Sequence, residues 1–550
     1  MLIISMHSKS LNFPFCITII LLSLGASITA ANAYAQEALH HEESCNQEKQ
    51  QVTFKPHTIF DESEEGIIFL HRWANAIHID TKVLTLENEA AFFLDKCRKN
   101  HADLAELERH LRSKKYIRDA KVTGDEMMEK ITITTWDNWS LLPTISFGRQ
   151  GGESKYSFGI KERNFLGLGI DAELESYKNS QRSGYKVKTT IPLFSRQSID
   201  LRLRFADNDD GKQKSLYLQK HFAAFHTKMA YNLGYDEESR NDTIFQNDIE
   251  QAIYRHKISF KTLDYAWLSF NDDKSLLRYH VGITQDYNKF SDTTESYNNF
   301  PEQILPQDRV FVYPWLGIDY LEKDFKKLTN IHLITQIEDF NHGWQFNGRL
   351  GLSDGSKEDS AWALFSAQIN KGFELHSDAL LLMNISVEGD IYQNSEQRFL
   401  LTLNNEYFYR FTKTWGLYLN NINILSHNQY LDQPVTMGGN AGLRGFPLQY
   451  QHGEHSVKLT SEIRYYPEIN LFKLFDLAGA AFFDSGRAFG SSLIANVEDD
   501  WLYSVGIGAR LYSPHSSGNH QVIHIDFAFP QTDNSDLDNF EIRVEAKQSF

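Results

Sequence analysis

The chain has 550 residues, of which 41% are hydrophobic, 23% charged and 13% aromatic, and its 72 acidic and 55 basic side chains give a formal charge of −17. The acidic excess, with no Lys/Arg block to interrupt it, excludes a nucleic-acid-binding footprint. A mean hydropathy of −0.44 and the lack of an apolar run of about 18 residues exclude a helical membrane protein, but not a barrel, whose strands turn only alternate residues toward lipid.

Residues 1–35 read as an export signal. Lys9 is the only charged residue there, an apolar run from Phe13 to Leu24 follows, and Ala31-Asn32-Ala33 or Ala33-Tyr34-Ala35 fits an A-x-A cleavage site. The mature chain is therefore expected outside the cytoplasm. It retains Cys45 and Cys97, which an oxidising compartment could pair; two free thiols fit the sequence as well. Cysteine and histidine spacings characteristic of zinc sites do not occur, so no metal is expected.

Residues 36–65 include the polar stretch His40-His41-Glu42-Glu43 and predict a flexible mature N-terminus. Over 66–138 the period changes. Ile67, Ile68, Leu70 and Trp73 predict a short helix, 82–86 a strand and 90–97 a second helix, and Asp103 is placed to cap a third that carries Leu104, Leu107 and Leu111. Two strands, 116–122 and 130–136, follow around a Gly124-Asp125 turn. The segment reads as a small α+β module of order β-α-α-β-β.

From 139 onward strict alternation replaces the helical period. Val457, Leu459, Ile463 and Tyr465 oppose Lys458, Thr460, Glu462 and Arg464, and the same rule holds over 225–235, 383–391 and 399–409. A soluble antiparallel sandwich alternates too. Two features favour a barrel: the pattern runs for some 400 residues without helices, and aromatics (Tyr407, Tyr409, Trp415, Tyr465, Tyr466) gather at strand ends as interfacial girdles require. The expected fold is an all-β transmembrane antiparallel barrel of about sixteen strands over 139–550, at about 9–11 residues per span plus loops. Segments 207–211 and 291–306 are expected as extracellular connections, the first a solvated turn rather than a calcium loop.

Motifs for nucleophilic, zinc-dependent or nucleotide chemistry are missing, and the glycine-rich run Gly438-Gly439-Asn440-Ala441-Gly442 lacks the Lys-Ser/Thr of a phosphate loop. The reading is a non-enzyme without cofactor.

The informative segment is Gly442-Leu443-Arg444-Gly445-Phe446, followed by Phe482-Phe483-Asp484-Ser485-Gly486. Together they resemble the signature of the outer-membrane assembly and translocation barrels typified by BamA and TamA, a superfamily that includes two-partner secretion transporters. The run Glu162-Arg163-Asn164-Phe165-Leu166-Gly167-Leu168-Gly169 is similar to that family's barrel entry, and Val544 and Phe550 match its C-terminal assembly signal, with Gln548 departing from it. The resemblance implies that the 66–138 module is a single POTRA-like domain where the essential assembly factors carry several. It implies that the Arg444 loop folds into the lumen to pair with Asp484, with Glu462 as second candidate. Both carboxylates fall on lumen-facing phases, where a guanidinium can bind one bidentately. Gly442 and Gly445 would permit the turn and Phe446 would pack the tip. A stability lock alone and a lock that also gates both remain open.

The implied function is insertion or translocation of polypeptides at the outer membrane of a Gram-negative bacterium, with the module in the periplasm. The implied partners are outer-membrane lipid and unfolded or secreted polypeptides, with room for periplasmic chaperones or accessory lipoproteins. The alternatives are a two-partner secretion transporter for one exoprotein and a passive diffusion channel. A seam between strands 141–148 and 539–550 is the expected lateral exit.

Overall fold

The computed structural model describes residues 51–550 apart from 64–65, 97–98, 126–127, 151–152, 294–304, 355–360, 394–395, 440–441, 493, 517–521, 536 and 548–550. Cys45, Cys97, Gln548 and Phe550 lie outside the described residues.

The N-terminal module runs β1 (Gln51–His57), α1 (Phe69–Ile77), α2 (Val83–Glu89), α3 (Ala91–Leu94), α4 (His101–Arg112), β2 (Ile117–Gly124) and β3 (Lys130–Asp137). Its sheet has the order β1-β3-β2, with β1 parallel and β2 antiparallel to β3. Leu104, Leu107 and Leu111 of α4 pack on Ala120, Val122, Ile131 and Ile133 in one core.

Three expectations change here. The strand expected at 82–86 is helical, because Thr85 and Leu86 turn inward together, as adjacent residues can on a helix but not on a strand. The first strand comes instead from Gln51–His57, inside the segment expected to be flexible, where Val52 and Phe54 pack against the core. Asp103 is the third residue of α4 rather than its cap: Asn100 accepts from the Asp103 amide (2.9 Å), and Asp103 accepts from the Asn100 amide (2.8 Å).

The remaining long strands close into one antiparallel barrel that starts at Leu141–Gln150 and ends at Glu541–Lys547, with those two strands as neighbours. Among the described residues it has twenty-one strands, one of them the two-residue stub Asn470–Leu471, rather than about sixteen. The difference arises because two-residue turns at 209–210, 247–248 and 377–378 stand where longer loops were allowed for. Apart from the stub, strand length is uneven, from 7 residues in Glu541–Lys547 to 23 in Ile249–Asn271.

Side-chain phase follows the sequence. Leu174, Leu203, Leu233, Leu263, Leu316 and Ile507 stand exposed on the outer wall, while Asp390, Glu462, Arg464, Asp484, Arg510 and Asp526 are buried on the inner one. An apolar exterior around a charged interior is the pattern of a barrel whose solvent is lipid. At the module end Tyr409, Trp415 and Tyr465 face outward, with the Trp415 and Tyr465 rings tilted against each other at 4.5 Å between centroids. Tyr466, expected in the same girdle, is instead buried inside the barrel.

Candidate functional site

The loop between strands Trp415–His427 and His455–Tyr465 leaves the far end of the barrel and folds into the lumen. Its Arg444 is buried. Nε donates to Asp484 Oδ2 at 2.6 Å and Nη2 to Oδ1 at 2.8 Å, the bidentate fork a guanidinium makes with a carboxylate. Nη1 reaches Glu462 Oε1 at 3.1 Å and Asp526 Oδ2 at 3.3 Å, and the guanidinium lies 3.4 Å over the Phe482 ring. Arg510 supplies the second cation, donating to the other Asp526 oxygen at 2.6 Å.

The predicted residues converge. Leu443 and Phe446 are fully buried with Met437, Tyr450, Ala488 and Leu502. Gly445 has φ +88° and its amide donates to Glu541 at 2.7 Å, while a Cβ there would sit 3.1 Å from Pro530, so a side chain at this position would be strained. Gly442 also lies at φ +88°, and Gly486 leaves the space that Met437 fills. Val544 pairs with Ile525 in the last strand but has no part in the lock.

Sequence reading missed Asp526 and Arg510. Both occupy lumen phases of alternating strands, Val522–Gln531 and Leu502–Tyr512, and that phase was the available signal. Gly508 makes room for the pair: a Cβ there would overlap the Asp526 carboxylate.

The far end is capped further. The tip of the Met229–Gln246/Ile249–Asn271 hairpin bends over the lumen, where Phe245 and Asp248 donate amides to Gln449 Oε1 (2.8 Å) and the Leu448 carbonyl (3.1 Å).

A second segment enters from the module end. The hairpin of Phe325–Thr329 and Ile337–Asn341 joins two adjacent barrel strands, yet its tip crosses to the opposite wall. Leu333 and Ile334 pack there on Tyr466, Ala478, Ala480, Tyr512 and Val522, and His332 meets Glu406 at 3.1 Å. Glu338 ties the tip by accepting the amides of Ile331, His332 and Leu333. The two intrusions meet at the wall: Glu462 takes Arg444 on one oxygen and Arg464 on the other (3.0 Å), and Arg464 donates to the Ile331 carbonyl at 3.3 Å.

The module holds the hairpin. Arg112 donates from Nε and Nη2 to the two oxygens of Asp339, both at 2.9 Å, Lys327 reaches Glu108, and Arg109 lies 3.9 Å over Phe325. Glu108 and Arg112 also close the outer edge of β2, Glu108 accepting the Val122 amide (3.1 Å) and Arg112 donating to the Ala120 carbonyl (3.3 Å). The run 162–169 is the other contact. Asn164 accepts the Gly169 amide and donates to Thr81, and the Gly167 carbonyl accepts from Lys82 and Thr85 at the start of α2. Gly167 has φ +72° and lies against the Asp80 backbone.

Behind α4, burial alone would raise the Glu89 carboxyl, but Lys114 at 2.6 Å and His110 at 3.0 Å hold its pKa at about 2. Burial lowers His110 despite that carboxylate. Both groups bind protons more weakly folded than unfolded, so each destabilises the module in acid. The His110 contribution is lost as pH falls below about 6.5, and that of Glu89, about 3 kcal/mol, as it falls from about 4.5 toward 2. Protection factors of the α4 amides, taken relative to intrinsic exchange at each pH, should fall in these two stages, and Glu89→Gln should abolish the second. A second stage that survives in the variant would reject the assignment.

The fold and the lock define a class: a lipid-facing β-barrel with an inward-folded arginine loop and an N-terminal α+β module docked on one end. No protein-family model matches the sequence, and no curated protein matches it. Among solved structures the chain is similar in fold to BamA from Haemophilus ducreyi lacking POTRA domains 1–3, over 90% of this chain and 84% of that one, at 12% identity and a TM-score of 0.39. It is similar to CdiB from Escherichia coli over 90% and 76% of the two chains (12% identity, TM-score 0.43), and to CdiB from Acinetobacter baumannii over 90% and 74% (10%, 0.41).

Proposed function

We propose that this chain is an outer-membrane barrel that inserts or translocates polypeptides, with its module in the periplasm. The observation that carries the reading is the double duty of Glu108 and Arg112, which cover the β2 edge and at the same time hold the luminal hairpin. An extended client adding to the β2 edge by backbone hydrogen bonds would displace both side chains and loosen the hairpin. Client capture is thereby linked to the state of the lumen. Phospholipid is the standing partner; chaperones and accessory lipoproteins would act upstream of the module.

A passive diffusion channel fits poorly, since two segments cross the lumen and each is fastened by charged hydrogen bonds. Lateral release between the first and last strands and passage through the lumen, as in dedicated secretion of one exoprotein, are separated by a covalent staple. Cysteine pairs scanned between 141–147 and 541–546, for example Ser146 with Val544, should abolish client insertion when oxidised and leave the barrel folded. Full activity in a verified staple would reject lateral release and favour the luminal route.

A further inference from the structure

Helix α1 is turned inside out for a helix in water. Phe69, Trp73 and Ile77, at i, i+4 and i+8, form with Leu70 an exposed apolar stripe, and Phe69 is 68% exposed. Two of its polar side chains face inward: His71 accepts the Ile68 amide and meets the Phe472 carbonyl at 2.7 Å, and Asn75 bonds the Phe60 backbone in both directions. Val83 and Leu84 extend the stripe onto α2, Leu84 at 58% exposure. An apolar surface of this size facing water calls for an occupant.

The barrel indicates which one. Both helices are fastened to the turns that end its lipid-facing wall, α1 through Phe472 and α2 through Gly167. Those turns present exposed apolar side chains of their own, Phe472 at 71% and beside it Ile469 on one side, Phe165 and Leu166 on the other. The stripe therefore continues the lipid belt. Arg72 and Lys82, exposed beside it, suit the phosphate level of a bilayer. We infer that α1 and the start of α2 lie in the headgroup–acyl boundary of the leaflet on the module side, so that the module is seated in phospholipid as well as on the barrel.

The test uses the full chain in vesicles of zwitterionic phospholipid with anionic phosphatidylglycerol, with Cys45 and Cys97 replaced by serine. An environment-sensitive fluorophore is placed on Phe69→Cys, Leu84→Cys or, as control, Lys121→Cys on the exposed face of β2. Phospholipids brominated in the acyl chain should quench the first two probes severalfold more than the third. Equal quenching at all three positions would overturn the inference. Deleting 36–50 should leave the quenching unchanged; probes that reach lipid only after that deletion would assign the stripe to the chain's own N-terminal segment. Quenching that fades as the protein-to-lipid ratio rises would assign it to a second copy. Either result would overturn the lipid seat.

Discussion

Replacing Arg444 by alanine should cost the folded barrel about 3–5 kcal/mol, because Asp484 would be left buried without its fork and Asp526 and Glu462 would share fewer cations. The loss should appear as a lower temperature of unfolding in gel migration with and without heating. The solvent-exposed change Lys413→Ala should shift it little. Lysine in place of Arg444 keeps the charge but not the planar fork, so it should fall between the two. A cycle of Arg444→Ala with Asp484→Ala should yield strong coupling, since the double variant removes both halves of the pair. Additive losses would refute the pairing.

The second large effect concerns conduction. Shortening the hairpin by removing 330–336 withdraws the side chains that cross to the opposite wall, while the arginine loop still closes the far end. This variant should give brief, partial openings in planar bilayers. Removing 439–449 as well should give sustained porin-like conductance, because a barrel of this strand number is wide enough for an aqueous channel. Arg112→Ala should raise the opening frequency of the intact chain, since it frees Asp339. A double deletion that conducts no better than the wild type would reject the view that these segments occlude the lumen.

The legible and the illegible parts of the molecule differ in physical kind. Alternation in 457–465 marks lipid and lumen faces because a strand has period two, and the structure keeps that assignment with Glu462 and Arg464 inward and Leu459 and Ile463 outward. The arginine loop was legible through the resemblance of 442–446 and 482–486 to a known pair of motifs, which implied the carboxylate partner, and the local glycines only agreed with the turn. Segment 82–86 failed because a short apolar run suits helix and strand alike, and Gln51–His57 failed because Val52 and Phe54 sit among polar neighbours that read as a tail. The hairpin Phe325–Asn341 resembles any other strand pair, for its crossing of the lumen depends on partners more than a hundred residues away, such as Tyr466 and Asp476.

Glu462 and Arg464 link the two intrusions, since the arginine loop is bonded to Glu462, the hairpin tip to Arg464, and these two side chains to each other. Binding free energies are reciprocal: if the seated hairpin orients Arg464, and through it Glu462, to favour the seated loop, the seated loop must favour the hairpin to the same degree. Under that coupling, a change on the module side that unseats the hairpin would weaken closure at the far end of the barrel, and release of the arginine loop would be felt in turn at the module.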